Sequence, residues 1–149
     1  MHLLFVCHGN ICRSTMAESV MAYLLTQAHL SDAITVDSAA TSTEEIGNPP
    51  HYGTRNELAR RNIPLCPHRA RRITPDDAAT ADFILAMDHA NVRNLKRMLP
   101  TQYHEKIHLL LSFAGEEREI ADPWYTGNFT LTYEDVLKGC TALLQQITQ

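Results

Sequence analysis

The chain has 149 residues and a formal net charge of −4, with 44% hydrophobic and 20% charged residues. This length and composition are ordinary for a globular protein, and we expect one domain over residues 1–149. The negative net charge excludes a typical nucleic-acid binder, which carries an excess of basic residues. The apolar runs are too short to span a bilayer. Because the first residues also lack a charged signal-peptide start, we expect a cytoplasmic protein that binds neither nucleic acid nor membrane.

The four cysteines predict neither disulfides nor a metal site. Structural disulfides are not expected in a reducing compartment. A zinc site requires two close pairs of ligands, or one pair with suitably spaced histidines. Cys7 and Cys12 form one close pair, whereas Cys66 and Cys140 stand alone. We therefore expect no bound metal.

Apolar periodicity predicts strands that alternate with helices. Short apolar runs flanked by turn residues indicate buried strands, and apolar residues three or four apart indicate helices. Thr15 and Glu18 fit a capping box at the first helix, with Ser14 as the other candidate cap. In chain order the prediction is a strand at 3–6, a helix at 17–28, a strand at 34–36, a helix at 54–62, a short helix opened by 74–77, a strand at 83–86, a helix at 89–98, a strand at 107–113 and a last helix capped by Thr132.

This alternation indicates βαβ units and hence an α/β fold, with helices on both faces of a parallel sheet. Ligands of such sheets bind beyond the carboxyl ends of the strands. The segment CHGNICRS, residues 7–14, directly follows the first predicted strand. It therefore lies where a ligand is expected.

Residues 7–14 have the chemistry of an anion site with a nucleophile. Amides at a helix N-terminus favour anions, and Gly9 and Asn10 permit the left-handed turns that aim several amides at one centre. Arg13 adds a planar fork for two phosphate oxygens. A thiol in such a field ionises readily, so Cys7 is a candidate nucleophile, with the Ser14 hydroxyl available to its sulfur. The alternative is a buried structural cysteine with a surface arginine.

The sequence VCHGNICRS resembles the phosphate-binding loop of the low-molecular-weight protein tyrosine phosphatases, and DPWY at 122–125 resembles their acid loop. The segments DSAATSTEEIGNP, PHRARRIT and ILAMDHAN also fall in the family's order, so the resemblance covers nearly the whole chain. It implies a four-stranded parallel sheet with the phosphate-binding loop after strand 1. It also implies no cofactor, phosphotyrosine-containing proteins as partners, and a monomer or weak homodimer.

The resemblance implies a role for each matching residue. Cys7 would form a cysteinyl-phosphate, Arg13 would hold the phosphoryl group, and Asp122 would be the general acid and then the base. Asp122 taken alone has the simpler interpretation of a turn aspartate before proline. The remaining implied residues are His8, Gly9, Asn10, Ile11, Cys12, Ser14, Trp124 and Tyr125 for substrate or phosphate, and Ser38 and His68 in support of a strained Asn10.

Cys12 would be a second thiol that protects Cys7 by forming a disulfide with it, again as the resemblance implies. The chain also departs from the family. Glu44 or Glu45 stands where many relatives have a tryptophan at the cleft, and Trp124 replaces the first of two tyrosines. These departures leave the chemistry intact and put the substrate preference in doubt.

Three rival functions remain open. Protein arginine phosphatases have a similar loop but carry threonine in place of Ile11, which favours phosphotyrosine here. Arsenate reductases with this loop relay oxidation to two neighbouring cysteines, whereas Cys66 and Cys140 are far apart. A non-catalytic redox or anion sensor is expected to have lost the acid or the arginine, and both Asp122 and Arg13 are present.

Overall fold

The computed structural model describes residues 1–149 and has a four-stranded parallel sheet at its centre, in the order β2-β1-β3-β4. The strands are β1 (His2–Cys7), β2 (Thr35–Ala40), β3 (Phe83–Ala86) and β4 (Ile107–Leu109). Cys7 pairs with Ala40, and Val6 pairs with Ala86, so these three strands end at the same edge of the sheet. The end of β1 is therefore at the middle of that edge.

Six α-helices and two 3₁₀ segments surround the sheet. None of the helices combines the length and the apolar character needed to cross a membrane. The helices are α1 (Arg13–Gln27), α2 (Tyr52–Arg60), α3 (Pro75–Thr80), α4 (His89–Met98), α5 (Pro123–Thr126) and α6 (Phe129–Ile147), and the 3₁₀ segments are Thr101–Lys106 and Leu110–Ala114.

Both faces of β1 are buried, each in its own core. Leu3 and Phe5 pack in a cluster with apolar residues of α1 and α6. Leu4 and Val6 point to the other face and pack in a second cluster with residues of α3 and α4. Since successive side chains of a strand face opposite ways, a strand covered on both faces needs a continuous apolar run. This confirms the predicted α/β fold with helices on both faces.

The start of α1 corrects the predicted cap. The N-cap is Cys12, and no side chain caps the helix. The hydroxyl of Thr15 instead donates to the Cys12 carbonyl at 3.2 Å, so the predicted capping box with Glu18 is wrong, as is a cap by Ser14. The helix begins earlier because the 7–14 loop runs directly into its first turn.

Two further boundaries in the second half differ from the prediction. The run 107–113 is a strand only to Leu109 and then turns into a 3₁₀ helix, which keeps its leucines buried. Asn128, not Thr132, caps α6, because its side chain accepts from the amide of Leu131 at 3.0 Å. By contrast, β3 and α4 have the predicted bounds, and Thr74 caps α3.

Candidate active site

The backbone between β1 and α1 turns its carbonyls outward and leaves its amides free. The carbonyls of Cys7, His8, Ile11 and Cys12 accept hydrogen bonds from Thr41, Ser42, His51 and Thr54 respectively. The amides of residues 8–12 donate to no atom of the protein. These amides and the N-terminus of α1 together form a concave anion site that begins at the end of β1.

The Cys7 sulfur lies at the base of this concavity. It is 3.1 Å from the hydroxyl oxygen of Ser14. Asn10 Nδ2 donates to the same oxygen at 2.8 Å, which leaves the Ser14 hydroxyl proton available to the sulfur. Ser14 can therefore donate a hydrogen bond to Cys7 whenever Cys7 is a thiolate.

Asn10 fixes the shape of the loop. It is fully buried and has a positive φ of 60°. Its amide nitrogen donates to Ser14 and, at 3.0 Å, to Ser38 Oγ. Its amide oxygen accepts from His68 Nε2 at 2.6 Å and from the backbone amide of Arg71 at 3.2 Å. Ser38, His68 and Arg71 therefore all contact the Asn10 side chain.

A buried titratable group lies behind Asn10. Ser38 donates to Glu18 at 2.5 Å, and burial raises the pKa of Glu18 to about 7. Burial lowers the pKa of His68, whose Nδ1 is 3.6 Å from Glu18 and 3.8 Å from Asp37. These three side chains could hold a cation, but Arg71 already places its guanidinium 2.9 Å from Asp37.

Arg13 is almost fully buried at the rim of the amide cradle. Its Nη1 donates to Asp88 at 2.8 Å and to the carbonyl of Ile120 at 2.9 Å. Its Nη2 donates to Asp122 at 3.4 Å. Burial by itself lowers the pKa of Arg13, but the negative groups around it, first among them Cys7, raise that pKa overall. Asp88 is not among the predicted site residues, although its place directly after β3 is a signal for the same sheet edge.

Asp122 caps the short helix α5. One carboxylate oxygen accepts from the backbone amide of Trp124 at 3.0 Å, and the other faces Arg13. Its side chain is 24% exposed, so the carboxylate is held by the turn and still reaches the cleft. The turn interpretation of Asp122 and the acid interpretation are therefore compatible in this structure.

The cleft above Cys7 brings most of the predicted residues together. Its wall includes two strongly exposed aromatic side chains, and its floor includes Cys12, whose pKa is raised to about 12 by burial and by the charges of Cys7 and Asp122. Asn10 and Ser14 support the loop from below. The lining residues are Cys7, His8, Gly9, Ile11, Cys12, Arg13, Glu44, Glu45, Asp122, Trp124 and Tyr125.

Phosphoryl transfer needs in-line attack, stabilisation of charge on the equatorial oxygens and a proton for the leaving group. One edge of this sheet provides a cysteine sulfur, free amides beside a guanidinium, and a carboxylate within the same cleft. A doubly wound α/β protein with this arrangement falls in the class of cysteine-dependent phosphatases.

Comparison with known proteins specifies the family. Residues 2–149 match the family described as low molecular weight phosphotyrosine protein phosphatase. The rat protein named low molecular weight phosphotyrosine protein phosphatase is 43% identical over 149 residues, which cover 97% of this chain and 94% of that protein. The chain therefore belongs to the low-molecular-weight protein tyrosine phosphatases, a family of hydrolases.

Solved structures show the same relationship. YfkJ from Bacillus subtilis superposes with a TM-score of 0.95 at 37% identity, covering 99% of this chain and 94% of that one. A Drosophila arginine phosphatase has a TM-score of 0.92 at 32% identity, covering 100% of this chain and 99% of that one. The shared fold thus accommodates relatives with different substrates.

Proposed function

We propose that the protein hydrolyses phosphotyrosine in proteins through a cysteinyl-phosphate. The observation that carries this proposal is the position of the Cys7 sulfur at the base of the free amides of residues 8–12. The thiolate attacks phosphorus, and the bond to the tyrosine oxygen breaks as Asp122 donates its proton to that oxygen. Water then attacks phosphorus, gives its proton to Asp122 and releases phosphate and the Cys7 thiolate.

The contacts of Arg13 distinguish the nitrogen that anchors its side chain from the two that can bind the phosphoryl group. Asp88 and the Ile120 carbonyl occupy Nη1, so this nitrogen anchors the side chain to the protein. Nε donates to no protein atom, and Nη2 makes only the 3.4 Å contact with Asp122. These two nitrogens are therefore the pair that binds two phosphoryl oxygens, in the bidentate geometry that guanidinium groups favour.

The proposal is tested with peptides that carry phosphotyrosine, phosphoserine or phosphoarginine. Hydrolysis of phosphotyrosine well above the other two supports it, because a flat ring fits the cleft lined by Ile11 and Trp124. Faster hydrolysis of phosphoarginine would instead support the second candidate, which the likeness to the Drosophila arginine phosphatase keeps open.

Ile11 is expected to favour phosphotyrosine over phosphoarginine. An apolar side chain at the cleft packs against an aromatic ring, whereas a hydroxyl can orient water or a guanidinium. Ile11→Thr should raise the ratio of phosphoarginine to phosphotyrosine hydrolysis, measured as kcat/KM on matched peptides. Ile11→Val, which changes size without adding a hydroxyl, is the control. An unchanged ratio in Ile11→Thr would show that another residue makes the selection.

We also propose that the site is redox-sensitive. Peroxide would oxidise the Cys7 thiolate to a sulfenic acid, and the Cys12 thiol would displace water from it to give a disulfide. Cys12 itself is protected from direct oxidation, since burial and neighbouring charges raise its pKa to about 12. Both residues line the same cleft.

Mild peroxide should inactivate the protein reversibly, with recovery on addition of a thiol. Recovery should be poorer in Cys12→Ala, because the sulfenic acid then proceeds to irreversible oxidation. Cys66→Ala is the matched control, since Cys66 lies outside the cleft. Equal recovery of activity in all three proteins would remove the protective role from Cys12.

Cytoplasmic residence, which cell fractionation can check, fits the four free cysteines.

A further inference from the structure

The mouth of the cleft carries two carboxylates that the reaction does not use. Glu44 and Glu45 line the cleft together with the catalytic residues. Glu44 is 69% exposed and pairs with His8 at 3.0 Å. The Arg13 guanidinium is buried and directed to the phosphate cradle. Beyond the cradle, the mouth therefore has an excess of negative charge.

Glu45 is held in place over the phosphate loop. Its carboxylate accepts from Asn48 Nδ2 at 2.6 Å. Its Cγ lies 3.4 Å from the position that a Cβ on Gly9 would take, so its chain packs against the loop backbone. Burial is the main cause that raises the pKa of Cys12 at the floor of the cleft, and the negative charge of Glu45 raises it further. Glu45 is thus a carboxylate held in place in the lining of the cleft.

The mouth of the cleft is also lined by aromatic side chains. Trp124 is 57% exposed and Tyr125 is 83% exposed. Aromatic faces and carboxylates both attract ammonium and guanidinium groups. The phosphate dianion is neutralised at the base by the amides and by Arg13, so it gains nothing from Glu44 or Glu45. The residues that flank the phosphorylated side chain are the part of a substrate that meets these walls.

We propose that Glu44 and Glu45 select phosphotyrosine sites that have lysine or arginine next to the phosphorylated residue. This proposal rests on the proposed hydrolysis of phosphotyrosine and specifies which phosphotyrosine sites are the preferred substrates. Exposed charge pairs change an equilibrium constant by about 1.5- to 5-fold each. Two carboxylates acting together should favour a basic substrate over a neutral one by about 3- to 10-fold in kcat/KM.

The experiment compares two phosphotyrosine peptides that differ only in carrying lysine or glutamine on both sides of the phosphorylated residue. The protein should prefer the lysine peptide, and added salt should weaken that preference by screening. Glu44→Gln/Glu45→Gln keeps the shape of both side chains and should bring the ratio of the two peptides close to one. The ratio within each protein is the readout, so a general loss of activity does not affect it.

The matched control is Glu117→Gln/Glu134→Gln, which removes the same number of charges from exposed positions outside the cleft. It should retain the preference. A preference that survives in the cleft variant, or disappears equally in the control, would overturn the selection by Glu44 and Glu45. Hydrolysis of the glutamine peptide tests the proposed function separately, because failure there, with p-nitrophenyl phosphate still hydrolysed, rejects phosphotyrosine as the substrate and the selection with it.

Discussion

Cys7→Ser is expected to abolish turnover and to leave anion binding in place. A serine hydroxyl stays protonated at neutral pH and is therefore a much weaker nucleophile than a cysteine thiolate. Removal of a nucleophile that works with its neighbours costs on the order of 10⁴–10⁶-fold in kcat. The free amides of residues 8–12 and the Arg13 guanidinium are untouched by the change. Activity is measured with p-nitrophenyl phosphate, and binding with vanadate or phosphate by calorimetry.

Cys66→Ser is the control for Cys7→Ser, because it makes the same change in a cysteine outside the cleft. It should retain full turnover. Appreciable turnover by Cys7→Ser would rule out a cysteinyl-phosphate. Loss of both turnover and vanadate binding would point to a collapsed loop, and Cys7→Ala would then be tested for binding.

Asp122→Asn should slow the hydrolysis of poor leaving groups far more than that of good ones. A phenolate of high basicity needs a proton as its bond to phosphorus breaks, whereas p-nitrophenolate hardly needs one. The expected loss on phenyl phosphate or a phosphotyrosine peptide is about 10²–10⁴-fold, or about 3–5 kcal/mol. The loss on p-nitrophenyl phosphate should be much smaller, and the falling limb of the pH profile of kcat/KM should flatten.

The asparagine is a suitable replacement because of the contacts of Asp122. Its amide oxygen can still accept from the Trp124 backbone, so the cap of α5 is preserved. Asp76→Asn, an exposed aspartate in the first turn of α3, is the control for loss of one carboxylate. Equal slowing of both substrates by Asp122→Asn would leave Asp122 as a turn residue and assign the acid elsewhere.

The parts of the site that lie within one local segment could be predicted. Residues 7–14 contain a strand end, a tight loop and a helix start, and each has its own sequence signal. Contacts between distant segments could not be predicted from those signals. Arg13 and Asp88 are 75 residues apart, and nothing in either segment alone specifies their pairing. The same limit applies to Arg71, which binds Asn10 only through its backbone amide.

The wrong predictions of the strand at 107–113 and of the α6 cap have a similar origin. Residues 107–113 are apolar enough for a strand, but burial also tolerates the 3₁₀ helix that starts at Leu110. Thr132 is a good capping residue by type, yet Asn128 lies closer to the point where the chain turns into α6. In both cases tertiary position decides between two locally acceptable conformations.

The four hydrogen bonds that fix Asn10 have a consequence for the end of the reaction. They hold its positive φ of 60° before any ligand arrives, so the entropy of ordering the loop is lost during folding and not during binding. A rigid ring of amides beside a guanidinium complements any tetrahedral oxyanion of the right size. Inorganic phosphate leaves the reaction as such an oxyanion and therefore competes with the next substrate molecule. Product inhibition is built into the same preorganisation that favours attack by Cys7.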